Sequence, residues 1–327
     1  MPESSAVQST GSDLAAADMA EVDRVIRQRL KSDVALIDQI SGYIIGAGGK
    51  RIRPRLVLLF ARALGHTGPA RFELAAIVEF IHTATLLHDD VVDESSMRRS
   101  RPTANALFGN AASVLVGDFL YSRAFQMMVS VGSMRVLDVL ADATNVIAEG
   151  EVLQLINMHD PDTTVEEYLR VIRYKTAKLF EASARLGAVI AQAPPKLEEA
   201  CADFGRSLGT AFQLVDDLLD YEGDPTQLGK NVGDDLREGK PTLPLLMAME
   251  RGTSQERDLV RQAIVNGEVE RLRDIAAIVR RTGSLEGTRE AARAEARKAQ
   301  ACLNGLPVGP ARDALLELCV RSVERSS

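Results

Sequence analysis

The chain lacks several features that mark common classes of protein. It has no tryptophan among 327 residues and only three cysteines, which are far apart in the sequence and do not have the spacing of a metal site. We interpret Cys201, Cys302 and Cys319 as buried thiols in a reducing compartment. The cysteines therefore favour a cytoplasmic protein over a secreted one that depends on disulfides.

Basic charge and long apolar runs are also lacking. The net charge of -7 argues against a general nucleic-acid binder, which needs a basic face. No apolar run reaches the roughly 18 residues needed to span a bilayer. The first basic residue is Arg24, a pattern that argues against a signal peptide and an arginine-rich transit peptide. We therefore expect a cytoplasmic protein with no transmembrane segment and no nucleic-acid partner.

The hydrophobic pattern predicts helices throughout and no strands, because alternating apolar residues bounded by hairpin turns are absent. The predicted helices are Leu14–Leu30, Val34–Ile45, Arg55–Leu64, Phe72–Val92, Ala104–Val129, Met134–Asn157, Val165–Ala193 and Leu197–Tyr221, followed by shorter ones between Pro241 and Val323. Several of them are long, and no linker rich in proline, glycine or serine divides the chain. We predict one all-α domain, a bundle over residues 13–327, after a disordered tail over residues 1–12.

Two aspartate-rich segments lie in apolar surroundings. Asp89 and Asp93 are four residues apart, as are Asp216 and Asp220, so each pair projects from one helix face. Two such carboxylates repel each other without a cation, and Mg²⁺ prefers one or two carboxylates together with phosphate oxygens. The segments therefore predict a magnesium site, against the alternative of two solvated helix ends. Duplication and convergence both remain open as the origin of the repeat.

Basic residues accompany the two acidic segments. Arginine forks and lysine ammonium groups are the usual ligands of phosphate, although each such residue alone is more often a solvated surface residue. The basic residues are Lys50, Arg51 and Arg53, then Arg98, Arg99 and Arg101, then Lys175, Lys230 and Lys240. The glycines at 48 and 49 lack the spacing and the preceding strand of a nucleotide P-loop. The sequence therefore predicts a metal-dependent site for a phosphate-bearing substrate.

The order of these motifs resembles that of the trans-isoprenyl diphosphate synthases. In sequence they are GGKRIRP, HDDVVDESSMRRSRPT, KTA, FQLVDDLLDY and GKNVGDDLREGKPTLP. The resemblance covers about residues 14–325 and is strongest to the polyprenyl branch, the bacterial octaprenyl diphosphate synthases that make quinone side chains. It implies repeated, Mg²⁺-dependent condensation of isopentenyl diphosphate onto an allylic diphosphate such as farnesyl diphosphate, with a membrane-seeking product. It also implies an all-helical homodimer in which both aspartate motifs face a deep central cavity.

The same resemblance implies roles for individual residues. Metal binding, with about three Mg²⁺ ions when both substrates are present, falls to Asp89, Asp93, Asp216 and Asp220, with Asp90 and Asp217 in support. Binding of isopentenyl diphosphate falls to Lys50, Arg53, His82 and Arg99. Binding of the allylic diphosphate falls to Arg98, Lys175, Thr176, Gln213 and Lys230. The four metal-binding aspartates, Lys175 and Lys230 form the expected catalytic set, whereas we interpret His88 as structural.

Product length is expected to depend on the residues just before Asp89, which should line the cavity below the reacting carbons. Ala84 and Thr85 are small enough for a growing chain to pass, and Met128 on the next long helix is a candidate for the deeper floor. In short-chain members of the resembling family, a bulky aromatic residue near this point closes the cavity. The small residues here therefore favour a long product.

Two other functions remain as alternatives. A class I terpene cyclase also uses an aspartate-rich helix, but its second metal motif is of an Asn/Ser/Glu type and it needs only one diphosphate site. A non-catalytic subunit of a heteromeric prenyl synthase would carry degraded aspartate motifs. The second motif here is DDLLD, both motifs are intact and the basic set is doubled. These features favour the synthase.

Overall fold

A computed structural model describes residues 11–46, 48–98, 101–222 and 233–325. Most of the expected N-terminal tail lies outside these ranges, and the first helix begins at Gly11. The helices are α1 (Gly11–Leu30), α2 (Ala35–Gly46), α3 (Ile52–Ala63), α4 (Ala70–Val92), α5 (Ala104–Phe108), α6 (Asn110–Val131), α7 (Met134–Asn157), α8 (Val165–Ile172), α9 (Lys178–Ile190), α10 (Pro195–Glu222), α11 (Asp234–Arg237), α12 (Leu243–Arg251), α13 (Ser254–Asn266), α14 (Leu272–Arg281), α15 (Ser284–Cys302) and α16 (Pro310–Glu324). A π-helical turn (Arg173–Ala177) joins α8 to α9, and short 3₁₀ turns cover Val269–Arg271 and Leu303–Gly305.

The prediction of a single all-α domain is confirmed, but three details of it are wrong. The helix predicted over Ala104–Val129 is broken at Gly109, whose φ of 85° lies outside the helical region. The helix predicted over Val165–Ala193 contains the π-helical turn and ends at Ile190. Strands β1 (Met97–Arg98) and β2 (Arg101–Pro102) pair antiparallel in the basic loop. Two residues per strand are too few to produce a visible alternation, so the sequence pattern missed them.

Helix α4 lies at the centre of the molecule. Every residue from Leu74 to Ile81 is buried, because α1, α3, α6 and α9 all pack against this helix. A helix segment that is apolar on nearly all sides belongs in such a position. Helix α10 packs on α9 and on α15 and carries the second aspartate segment at its C-terminal end. The two aspartate segments thus lie at the ends of two long, buried helices.

The cysteines agree with their interpretation as thiols. All three are free, with Cys201 and Cys319 buried and Cys302 half-buried in the same apolar cluster. Burial raises the pKa of Cys201 and of Cys319 to about 12, so both stay protonated at neutral pH. Within the described ranges, no helix is long and apolar enough to cross a membrane.

Candidate active site

A cleft opens where the C-terminal ends of α4, α7 and α10 approach the π-helical turn, with about 720 Å³ of empty space that includes its solvent-filled mouth. It brings together five of the residues predicted from the sequence. These are Asp89, Asp93, Lys175, Thr176 and Gln213. The remaining lining residues are Gln154, Asn157, Thr163, Tyr168, Val171, Ile172, Asp217, Asp235, Lys240, Pro241 and Thr242. The cleft is therefore lined by both carboxylate and ammonium groups, with apolar side chains on one wall.

The first aspartate segment contributes two carboxylates to the cleft. Asp89 Oδ1 lies 3.8 Å from the Lys175 ammonium, and Asp93 Oδ2 lies 3.4 Å from that of Lys240. Burial disfavours the charge of Lys240, but Asp93, Glu238 and Asp235 outweigh it and raise the Lys240 pKa. Each carboxylate of the predicted metal pair thus faces a lysine ammonium group.

Asp90, between these two residues, points away from the cleft and anchors the loop that follows. It is fully buried, Arg98 Nε donates a hydrogen bond to its Oδ1 at 2.8 Å, and Arg98 Nη2 pairs with the same oxygen at 2.7 Å. Burial raises the pKa of Asp90 and the Arg98 charge opposes the rise. Arg98, which is predicted to bind the allylic diphosphate, therefore forms an ion pair with Asp90. Its neighbour Arg99 lies outside the described residues.

The π-helical turn presents Lys175 and Thr176 to the cleft. Such turns add one residue to a helix and occur frequently at functional sites. Two glycines allow neighbouring helices to pack directly on the turn. A Cβ atom at Gly150 of α7 would lie 2.5 Å from the backbone nitrogen of Lys175, and a Cβ atom at Gly209 of α10 would lie 2.7 Å from Ala177 Cα. The turn is thus clamped between α7 and α10.

We expect Gly150→Ala to lower the free energy of unfolding by about 1–3 kcal/mol, because its methyl group overlaps the backbone of the turn. Thermal denaturation measures the change. Gly42→Ala in α2 is the matched control: nothing lies within 4 Å of its Cβ position, so it should be neutral or stabilise by roughly 0.5–1 kcal/mol. Equal melting temperatures for wild type and Gly150→Ala would show that the turn shifts aside without cost.

Glu151 follows Gly150 and fixes the lysine of the turn. Its Oε2 accepts a hydrogen bond from Lys175 Nζ at 2.6 Å. Burial raises the pKa of Glu151 to about 7, against the opposing charge of Lys175. The Lys175 ammonium thus lies between Glu151 and Asp89, at the edge of the cleft.

A chain of hydrogen bonds joins the turn to the second aspartate segment. Thr176 Oγ1 donates to Gln213 Oε1 (3.0 Å), Gln213 Nε2 donates to Asp217 Oδ1 (2.7 Å), and Tyr168 OH donates to Asp217 Oδ2 (2.5 Å). Burial, with Asp235 adding negative charge, raises the pKa of Asp217 to about 7. Of the three aspartates in the second segment, Asp217 is the one that lines the cleft.

Asp216 and Asp220, the predicted metal ligands of that segment, are not among the residues that line the cleft. Asp216 Oδ1 pairs with Arg325 Nη1 at 2.8 Å. Asp220 is fully buried, and its Oδ2 accepts the backbone N–H of Asp235 at 3.1 Å. Lys230, the predicted cation beyond this segment, lies outside the described residues. The role of Asp216 and Asp220 as metal ligands stays a prediction.

A second cationic group forms between α3, α4 and the C-terminal residues. Arg53 Nη1 lies 3.0 Å from His82 Nε2, which joins two residues predicted to bind the same diphosphate. Lys50 and Arg325 both lie over the ring of Phe212, at 5.9 and 3.8 Å from its centroid. Burial, followed by the charge of Arg325, lowers the Lys50 pKa. Close cations that repel each other are suited to a highly charged anion.

The carboxylates of the cleft fit a magnesium ion that is bound together with phosphate oxygens. Asp93 Oδ1 is buried, and among the described residues no group donates a hydrogen bond to it. Nor do those residues contain a set of three or more His, Cys, Asp or Glu side chains arranged to hold a metal unaided. Mg²⁺ usually needs only one or two carboxylates when a substrate supplies phosphate. Asp89 and Asp93 could therefore hold Mg²⁺ once the substrate is present.

The residues predicted to set product length lie below the first aspartate segment. Ala84 and Met128 are buried in one apolar cluster shared by α4 and α6, and half-buried Thr85 donates its hydroxyl to the His82 carbonyl at 2.9 Å.

His88 Nε2 lies 3.2 Å from the Val114 carbonyl and points toward α6, which agrees with a structural role.

Several residues of the site were missed by the sequence analysis. Glu151, Tyr168, Asp235 and Arg325 received no role, and Lys240 was noted only as a cation. Glu151 and Arg325 lie far from every motif in the sequence, so only the fold brings them to the site. Asp235 offered a signal, since it stands in an acidic pair just before the predicted cation Lys240.

Comparison with known proteins gives consistent results. Residues 34–280 match the family model described as polyprenyl synthetase. The chain is 58% identical to octaprenyl diphosphate synthase of Escherichia coli (strain K12), over 96% of this chain and 97% of that protein. It is 46% identical to the geranyl-diphosphate-specific all-trans-nonaprenyl-diphosphate synthase of Rhodobacter capsulatus, over 95% of each chain. The structure of polyprenyl synthase from Caulobacter crescentus CB15, complexed with calcium and isoprenyl diphosphate, superposes with a TM-score of 0.94 at 47% identity, covering 97% of both chains.

Proposed function

This chain belongs to the polyprenyl synthetase family of prenyltransferases, and we propose that it makes octaprenyl diphosphate, the precursor of a quinone side chain. The observation that carries the proposal is the single cleft in which Asp89, Asp93, Lys175, Thr176 and Gln213 converge. The identity of 58% with an octaprenyl diphosphate synthase supports the eight-unit product.

In the proposed reaction the allylic diphosphate binds in the cleft, with its negative charge facing Lys175 and Thr176. Gln213 lines the same cleft, and Arg98 and Lys230 stay predicted ligands of this diphosphate. Asp89 and Asp93, together with Asp216 and Asp220, would hold about three Mg²⁺ ions, which would supply Lewis-acid stabilisation of the departing diphosphate. Lys175 adds fixed positive charge where negative charge develops, because Glu151 and the clamped turn hold its ammonium in place.

Isopentenyl diphosphate binds to the second cationic group, at Lys50, Arg53 and His82, and Arg99 stays a predicted ligand of the same diphosphate. Cleavage of the allylic C–O bond releases diphosphate and leaves a carbocation, which the double bond of isopentenyl diphosphate attacks. Loss of a proton to the released diphosphate restores a double bond, and the chain has grown by five carbons. Val171 and Ile172 line one wall of the cleft and keep water from the cation.

We also propose that the enzyme is a cytoplasmic homodimer. Large apolar side chains on α6 and α7 are exposed, by 57–67% of their surface, at Leu115, Val152, Leu155 and Ile156. Exposed apolar patches of this kind mark protein–protein contacts, and a second copy of the chain is the partner that the family resemblance implies. Three free thiols support a reducing compartment.

Incubation of the purified chain alone with radiolabelled isopentenyl diphosphate, farnesyl diphosphate and Mg²⁺ tests the proposed function. We expect label in a long apolar product, and none when farnesyl diphosphate is omitted. A regulatory subunit would incorporate no label. A terpene cyclase would release diphosphate from the allylic substrate without isopentenyl diphosphate, and either result would contradict the proposal.

The two cationic groups should separate in steady-state kinetics. Lys50→Ala and Arg53→Ala are expected to raise KM for isopentenyl diphosphate by roughly 10- to 100-fold, the effect of losing one hydrogen bond to a charged group. Lys175→Ala and Arg98→Ala should act mainly on the KM of the allylic substrate. Equal effects of all four variants on both KM values would argue against two separate subsites.

A further inference from the structure

A buried carboxylate in the middle of α4 has no role in the proposed reaction. Glu79 belongs to the run from Leu74 to Ile81, in which every residue is buried, and only 8% of its surface is exposed. A carboxylate is costly to bury unless a cation pairs with it. Glu79 Oε1 lies 2.6 Å from Arg51 Nη1, and both side chains are largely buried.

Arg51 has an unusual backbone conformation. It precedes the first turn of α3 with φ 49° and ψ 37°, the left-handed region that residues other than glycine seldom adopt. Such a conformation persists only where the surroundings hold it. Besides its pairing with Glu79, the Arg51 side chain donates to the Ile45 carbonyl of α2 at 3.4 Å. One guanidinium group thus links the strained turn to α2 and to α4.

The strained residue stands between two of the proposed ligands of isopentenyl diphosphate. Lys50 precedes it, and Arg53 follows it and lies 3.0 Å from His82. Since His82 is three residues beyond Glu79, the start of α3 contacts α4 at two successive turns, through Arg51–Glu79 and through Arg53–His82.

The energetics of buried ion pairs argue for a geometric role. Desolvation of the two charges offsets most of their attraction, so apolar residues of similar volume often stabilise a protein equally well. What apolar residues cannot reproduce is the attraction that holds the guanidinium group beside the Glu79 carboxylate, within reach of the Ile45 carbonyl, and with it the backbone of the turn.

We propose that Glu79 is a positioning residue for isopentenyl diphosphate: through Arg51 it holds the left-handed turn so that Lys50 and Arg53 face one diphosphate group. This inference rests on the proposed function, in which Lys50, Arg53 and His82 bind that substrate. Glu79 itself touches no substrate in this account.

The test compares stability with substrate affinity in the full-length enzyme. The double variant Arg51→Met/Glu79→Leu replaces the ion pair by apolar groups, so we expect a melting temperature close to that of wild type. We expect its KM for isopentenyl diphosphate to rise roughly 10-fold or more, and its KM for farnesyl diphosphate to stay within about twofold. Glu79→Gln, which keeps the shape of the side chain, should likewise raise the KM for isopentenyl diphosphate relative to the KM for farnesyl diphosphate.

Glu73→Gln is the matched control. Glu73 also lies on α4 and pairs with an arginine, Arg29 at 3.2 Å, but on the side that faces α1. Both KM values should be unchanged in this variant. Wild-type KM values in a folded double variant and in Glu79→Gln, or equal rises in both KM values, would overturn the inference. A wild-type chain that incorporates no isopentenyl diphosphate would overturn the proposed function and this inference together.

Discussion

Replacing Asp89 by alanine is expected to lower kcat by ~100-fold or more, the magnitude typical of losing one charge-stabilising contact in a transition state. Asp89 lines the cleft within 3.8 Å of Lys175, and with Asp93 it forms the carboxylate pair that fits Mg²⁺. Steady-state turnover at saturating substrate measures the effect. EDTA should abolish activity in the wild type, and added Mg²⁺ should restore it.

The same change at Asp216 tests the second aspartate segment, and we expect a loss of similar size. Asp138→Ala is the control, because Asp138 is an exposed carboxylate paired with Arg135 on the surface, where such a pair contributes little. Its turnover should remain within about twofold of wild type. Near wild-type turnover in both Asp89→Ala and Asp216→Ala would contradict a site built from two aspartate segments.

Ala84→Phe is expected to shorten the main product from eight units to about three or four. Ala84 lies five residues before Asp89, about 7.5 Å along α4, and is fully buried against α6. An extended isoprene unit spans roughly 4–5 Å, so eight units need about 30–40 Å of depth, and a phenyl ring at this position would block the chain early. Thr85→Phe should act in the same direction, and Met128 is the candidate for the deeper floor.

Product analysis must be combined with a check of folding, since overpacking a buried position costs about 1–3 kcal/mol. Ala84→Val provides a graded control: it should shorten the product less than phenylalanine does. The first condensation should survive in all these variants, because the carboxylate pair lies above the substitution. A folded, active Ala84→Phe enzyme that still makes the full-length product would show that the cavity does not follow α4.

Helical periodicity was enough to predict the fold, because long buried helices such as α4 repeat the pattern over many turns. The periodicity failed as a guide where a single residue determines the backbone conformation. Gly109 ends a helix whose apolar pattern continues into α6, and the π-helical turn at Lys175 adds one residue without changing the pattern's appearance. The turn depends on neighbouring helices as well, because their close packing needs the missing side chains of Gly150 and Gly209.

The site was predictable where one helix carries it. Spacing along α4 placed Asp89 and Asp93 on one face, and they share the cleft. In the second segment the rotation of α10 decides which carboxylate faces the cleft, and this rotation follows from packing against α9 and α15, not from spacing. Asp217 lines the cleft, whereas Asp216 pairs with Arg325 from the far end of the chain. Contacts over such separations leave no local signal in the sequence.

Product length is the property that tests the proposal most directly. Relatives named for eight-unit and nine-unit products are 58% and 46% identical to this chain, so the two lengths must be distinguished by measurement. Reverse-phase chromatography of the dephosphorylated products, formed by the purified chain from labelled isopentenyl diphosphate and farnesyl diphosphate, measures it directly. We expect one main product of eight isoprene units. A main product of another length would contradict the octaprenyl assignment, and no labelled product at all would contradict the synthase itself.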